Sequence, residues 1–238
     1  MTISTKKFAF ITGASTGIGK ALAFELAQKG YFIFIAARNL ENLNKVKVEI
    51  EKLGALAEVI CMDLQNLQDI KDAVSKVKLQ TSHIDILGNI AGVYHDDQRH
   101  FFGIDFENYP DEAIIGNIQT SLVGHILLTK HLLPVMSKGS CVINMSGTFD
   151  PDEVGVLPEY VTKKGIELFT KQLALEVANK GVRSNCVVPD YVFTENVQKF
   201  FPDLKKADVL DPVFVAQQIV GICENSSING QIIEIKRS

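Results

Sequence analysis

Short apolar runs alternate along this chain with stretches in which apolar side chains recur every three or four positions. The runs Phe8–Ile11, Tyr31–Ala36, Ala57–Cys61, Ile84–Leu87, Ser140–Met145, Val182–Val188 and Gly230–Ile235 read as strands. Their near-uninterrupted apolar character suits strands covered on both faces. The intervening periodicity predicts helices over Lys20–Lys29, Leu40–Leu53, Leu67–Val77, Ile114–Leu133 and Tyr160–Asn179. Gly30 and Gly54 fall where a helix ends. Such alternation predicts right-handed βαβ crossovers and an α/β fold: a doubly wound parallel sheet of about seven strands with helices on both faces. No repeat, low-complexity tract or linker interrupts it, so residues 1–238 read as one domain.

Composition narrows the function. Of 238 residues, 46% are hydrophobic, enough to fill a core and too many for a disordered chain. Net charge is −4 with Lys and Arg dispersed, which offers no basic stripe to nucleic acid. Met1–Phe10 is short and polar for a signal peptide. No apolar run approaches the ~18–20 residues of a membrane span. Cys61, Cys141, Cys186 and Cys223 are widely spaced, and three lie among apolar neighbours. They read as core thiols in a reducing, cytoplasmic setting. His95/His100 and His125/His131 lack zinc-type spacing, so no metal is expected.

The first strand runs into Thr12-Gly13-Ala14-Ser15-Thr16-Gly17-Ile18-Gly19. Gly13 permits a sharp turn, Gly17 lets a pyrophosphate approach the backbone, and Gly19 lets the helix pack closely on the sheet. The amides that open the helix, in Ser15-Thr16-Gly17-Ile18, then face the phosphates, where the helix dipole favours negative charge. A glycine-rich stretch alone is weak evidence. Here it follows a strand and opens a helix in the first βαβ unit, the context of a dinucleotide site in a Rossmann fold. After the second strand, Ala37 stands where a carboxylate would bind a ribose 2′-hydroxyl, and Arg38 follows. A guanidinium suits a 2′-phosphate, so NADP is expected in preference to NAD.

The spacing T-G-x-x-x-G-x-G differs by one residue from the common dinucleotide fingerprint and resembles the short-chain dehydrogenase/reductase family, over essentially the whole chain. The resemblance implies that Asp63 meets the adenine. It matches Asn89-Ile90-Ala91-Gly92 to the family's N-N-A-G, with Ile90 replacing the second Asn. It also brings Pro189 and Thr194 to the nicotinamide, with Asp190 where the family has glycine.

Tyr160 and Lys164 lie four apart on one face of the last long helix. Carbonyl reduction needs a proton as hydride arrives, and a phenol with pKa near 10 exchanges one poorly at neutral pH. A neighbouring ammonium stabilises phenolate and lowers that value. Y-x-x-x-K is a common surface pair, and the resemblance is what gives it weight here. It implies Tyr160 as acid/base and Lys164 as its partner, the lysine also reaching the nicotinamide ribose. The family's Ser usually stands thirteen residues before the Tyr. Counting back from Tyr160 reaches Gly147, with Ser146 fourteen away. One inserted residue in the loop that carries Asp150, Asp152 and Glu153 would make Ser146 the hydroxyl that polarises the substrate. The family's Asn corresponds to Ser121, with Asn117 one turn earlier.

The loops 93–112 and 190–210 are rich in aromatics, among them Phe200-Phe201-Pro202, and would flank the substrate. They suit an apolar or ring-bearing carbonyl or alcohol if they line the site, and fold back into the core if they do not. One apolar face on each of Ile114–Leu133 and Tyr160–Asn179 predicts a homodimer or homotetramer. The leading reading is an NADP-preferring carbonyl reductase or alcohol dehydrogenase. Two rivals stay open. Gly147, Ser121 and Asp190 favour a nucleotide-binding sensor or scaffold without turnover, and the same platform also serves epimerases and dehydratases.

Overall fold

The alternating pattern becomes, in a computed structural model describing residues 6–95, 98–149 and 154–237, seven strands and the helices between them. In chain order these are β1 (Phe8–Thr12), α1 (Gly17–Gln28), β2 (Phe32–Ala37), α2 (Leu40–Lys52), β3 (Leu56–Cys61), α3 (Leu67–Gln80) and β4 (Ile86–Asn89). Then follow α4 (Asp111–Ile118), a π turn (Gln119–Val123), α5 (Gly124–Leu132), β5 (Cys141–Met145), α6 (Leu157–Glu176) and β6 (Arg183–Pro189). The chain closes with α7 (Glu195–Phe200), α8 (Pro212–Glu224) and β7 (Ile232–Ile235).

All strands are parallel, in the order β3-β2-β1-β4-β5-β6-β7. Ile11 pairs with Ile35 on one side and Gly88 on the other, so the order reverses at β1. Helices leave opposite faces of the sheet there, and the crevice beyond the strand ends is where such folds bind ligands.

The pleat sends alternate side chains to opposite layers. Ile33 and Ile35 join Leu22 and Leu26 of α1 and Val215 and Ile219 of α8. Phe34 points the other way, with Phe10, Ile70 of α3 and Leu128 of α5. Both layers are apolar, which is why the strand sequences run apolar rather than alternating.

Three differences from the sequence reading matter. The segment expected as one helix from Ile114 to Leu133 is interrupted by the π turn, with Ser121 in its middle. Helix α8 was absent from that reading, although Asp211 accepts the Val213 amide and Pro212 opens the helix. Helix α6 begins at Leu157 rather than Tyr160, and this moves the site.

Candidate functional site

A cleft of about 750 Å³ lies beyond the ends of β1, β4, β5 and β6. Its floor is held by Thr12, whose hydroxyl oxygen accepts from the Ile90 and Ala91 amides at 2.9 and 3.1 Å. That clamp brings the glycine turn against the segment after β4. Gly13 has φ +66°, and a Cβ there would stand 3.0 Å from the Ala91 backbone. A Cβ on Gly19 would stand 2.3 Å from the Gly13 carbonyl oxygen, so only glycine lets α1 start this close to the turn.

Gly13, Ser15, Thr16, Gly17, Ile18 and Gly19 line one wall, and Ala91 and Gly92 the other. Arg38 and Asp63 line the end nearest β2 and β3, while Pro189, Asp190 and Thr194 line the end nearest β6. The shape and donors of this cradle fit a dinucleotide. Asn89 does not line the cleft. It is fully buried, and its amide donates to Thr129 and Asn144 at 3.0 and 2.8 Å, tying β4 to α5 and β5. Ile90 packs in the core beside α1, an apolar environment that accounts for an aliphatic residue there.

The expected pair Tyr160 and Lys164 stands outside the cleft. Tyr160 is 44% exposed and lies edge-on to Phe149 at 5.4 Å. Lys164 pairs with Glu167 at 2.8 Å. The cause is the helix face: α6 buries Pro158, Glu159, Thr162, Lys163, Ile166 and Thr170, a three-and-four spacing that excludes positions 160 and 164. Glu159 and Lys163, each one position earlier, line the cleft instead. Ser146 to Glu159 is thirteen residues, so the spacing needs no insertion. That interval is the feature of the sequence that marks position 159.

Glu159 and Lys163 are 9% and 7% exposed. Lys163 Nζ donates to the Met145 carbonyl at 3.4 Å and faces Gly92, where an added Cβ would stand 3.4 Å away. Ser146 lines the cleft, and its hydroxyl donates to Glu167 at 2.8 Å. Burial first, and the negative charge of Glu159 second, push the Tyr94 phenol up to about 12. Tyr94 thus lines the cleft as a phenol that keeps its proton.

Ser121 does not line the cleft either. Its oxygen accepts the Val93 amide at 3.3 Å, and the Asn117 amide donates to the Val93 carbonyl at 2.5 Å. Both secure the segment after β4. Beneath them, His125 is held down to about 3 by burial and by the Lys163 charge. Its Nδ1 faces the Ser121 carbonyl at 3.3 Å and so carries the hydrogen, while Nε2 lies 3.2 Å from the Thr12 hydroxyl, which also donates to the Gly88 carbonyl at 3.2 Å.

The loop aromatics divide between the two expected roles. Tyr94, His95, Phe102 and Phe201 line the cleft mouth, with Tyr94 stacked on Phe102 at 5.3 Å. The Asn196 amide of α7 donates to His95 Nε2 at 2.8 Å. Phe101 and Tyr109 are buried instead, the Tyr109 hydroxyl donating to the Phe101 carbonyl. Asp150, Asp152 and Glu153 lie outside the described residues. All four cysteines are free thiols, with Cys141 and Cys186 buried.

Comparison with known proteins adds the family. The family model described as short chain dehydrogenase matches residues 7–205. An uncharacterized oxidoreductase of Bacillus subtilis (strain 168) is 34% identical over 198 residues, covering 81% of this chain and 69% of that protein. A 7alpha-hydroxysteroid dehydrogenase of Paraclostridium sordellii is 26% identical over 244 residues, covering 96% of this chain and 90% of its own. Among solved structures, a short chain dehydrogenase from Burkholderia cenocepacia J2315 in complex with NADP superposes with a TM-score of 0.85. It covers 97% of this chain and 96% of its own at 24% identity, a likeness of fold.

Proposed function

The chain belongs to the short-chain dehydrogenase family, and on that premise we propose that it is an NAD(P)-dependent oxidoreductase acting on a small molecule. The observation that carries this reading is the meeting of the glycine turn, Ser146 and the buried Lys163 in one cleft at the strand-order reversal. The solved structure with NADP bound supports the same cofactor class by its fold. A bound nicotinamide would supply the hydride chemistry. The chain's own residues bind and orient.

The amides that open α1 receive the pyrophosphate. Arg38, preceded by Ala37 at the end of β2, receives a 2′-phosphate and favours NADP. Asp63 faces the adenine end of the cleft, and Pro189 and Thr194 face the nicotinamide end. Lys163, buried next to Gly92, is the ammonium for the nicotinamide ribose hydroxyls, the role expected above of Lys164. Carbonyl and alcohol compounds are the general substrate class, and the aromatic mouth suits a ring.

The family's usual phenol is replaced in the cleft by Glu159, and this favours a second reading, a nucleotide-binding protein without turnover. Assembly as a homodimer or homotetramer is supported by the outer face of α6. Its Val161, Leu168 and Leu175 are 54%, 68% and 72% exposed, an apolar stripe that a partner helix would cover.

Fluorescence and thermal-shift titrations with NADPH and NADH, followed by nucleotide oxidation against a panel of carbonyl and imine compounds, test the proposal. Binding with turnover that Lys163→Ala abolishes supports an oxidoreductase. Binding with no turnover selects the second reading, and no binding of either nucleotide overturns both.

A further inference from the structure

Glu159, Asp190 and the Ser146 oxygen make the reacting end of the cleft richer in acceptors than in donors. Ser146 has one hydroxyl proton, and it is directed to Glu167 at 2.8 Å, leaving lone pairs for anything bound in the cleft. Glu159 lines the cleft at the α6 position where a proton-donating phenol was expected. Asp190 adds a second carboxylate to the lining. Lys163 Nζ donates to the Met145 carbonyl and lies beside Gly92, at the nucleotide wall. Tyr94 keeps its proton and is a hydroxyl donor at the cleft mouth, on the segment after β4 rather than on α6.

A ketone matches this arrangement poorly. Its oxygen only accepts hydrogen bonds, and hydride addition builds negative charge on it, which a neighbouring carboxylate repels. A protonated imine matches it well. Its nitrogen carries positive charge and an N–H, and its reduction asks for no proton in the hydride step.

Resting on the nicotinamide-dependent reading above, we infer that the reacting heteroatom of the substrate is nitrogen: the cleft takes a protonated imine, or in reverse the corresponding amine. The N–H donates to the Glu159 carboxylate, with the Ser146 oxygen as a further acceptor. The iminium carbon accepts a hydride from the reduced nicotinamide, and the C=N π pair becomes the nitrogen lone pair. The products are a neutral amine and oxidised nicotinamide, and the amine takes a proton from solvent to leave as ammonium. The rings of Tyr94, Phe102, Phe149 and Phe201 around the same cleft favour a cyclic or aryl-bearing imine.

Matched bicyclic probes separate the chemistries. Calorimetry on the NADP-loaded protein compares 1,2,3,4-tetrahydroisoquinoline with 1-tetralol, and NADPH oxidation compares 3,4-dihydroisoquinoline with 1-tetralone. The amine is expected to bind at least about tenfold more tightly than the alcohol, the scale of a desolvated charge pair, and Glu159→Gln to erase the difference. Glu159→Tyr is expected to move turnover from imine to ketone. The inference is overturned by equal or tighter alcohol binding, by an amine preference that survives Glu159→Gln, or by faster reduction of the ketone in the unmodified protein. NADP affinity recorded for every variant keeps the two readings apart. Intact nucleotide binding with no amine preference removes only this inference, whereas absent nucleotide binding removes the oxidoreductase reading too.

Discussion

The Glu195 carboxylate accepts a hydrogen bond from the Gly17 amide at 2.9 Å. Gly17 opens α1, where a helix dipole attracts anions, so Glu195 occupies a donor that a pyrophosphate would claim. Glu195 opens α7 directly after Thr194, so a bound pyrophosphate would meet this carboxylate at the start of α1. Glu195→Gln is expected to raise NADPH affinity about 2–5-fold at low ionic strength, the worth of one exposed anion at a helix start. The gain shrinks as salt rises. Fluorescence titrations at two salt concentrations check this, and unchanged or weaker binding would show that the carboxylate is no competitor.

The placement of α6 separates two adjacent residue pairs. Tyr160→Phe and Lys164→Ala, both on the outer face, are expected to stay within about twofold of the parent in kcat/KM, as exposed sites usually do. Lys163→Met removes the buried ammonium and is expected to lower kcat/KM by about 10²–10³, the scale of one lost electrostatic contact at a reacting centre. Steady-state kinetics decide between the pairs, since a large loss in Tyr160→Phe with a mild one in Lys163→Met would restore the outer pair. Legibility was partial here. Positions 160 and 164 and positions 159 and 163 both satisfy an i, i+4 spacing, and helical periodicity does not distinguish them. The thirteen-residue interval from Ser146 points to position 159, which with Lys163 lines the cleft.

Arg38 lines the cleft at the end of β2, with Ala37 where a carboxylate would select a free 2′-hydroxyl. Arg38→Ala is expected to weaken NADPH binding about tenfold while leaving NADH unchanged, since only NADPH carries the phosphate for a charge-assisted contact. Parallel titrations with the two nucleotides measure the ratio. An equal loss for both would assign Arg38 a role in packing the cleft rather than in reading the phosphate.

His125 makes stability depend on pH. Its folded value is held at about 3, below an ordinary 6.5, by burial and then by the Lys163 charge. As pH falls below about 6.5 the unfolded chain binds the proton and the folded chain does not. The contribution is full above that value and is lost progressively toward pH 3, at about 1.4 kcal/mol per unit. His125→Gln removes the titration, so its urea midpoint is expected to fall less between pH 6.5 and pH 4 than that of the parent. Parallel curves would mean that the imidazole is not the group responsible.

The apolar runs were sufficient to locate all seven strands, because a strand covered on both faces needs apolar side chains on both, whatever its neighbours are. The glycine turn was legible for a similar reason. Whether a backbone bends sharply at Gly13, or admits a helix start at Gly19, is a matter of local sterics written into the absence of a Cβ. Tertiary structure alone decided which side of each element faces what. The apolar residues of loop 93–112 divide between the cleft mouth and the core according to how they pack against Phe200 and Phe201. Asn89 turns inward because Thr129 and Asn144, distant in sequence, supply its partners. The cleft receives a glutamate rather than a tyrosine because α6 rotates to bury Ile166 and Thr170 against the sheet. Local pattern specifies that a helix forms, and only long-range contact determines the rotation about its axis.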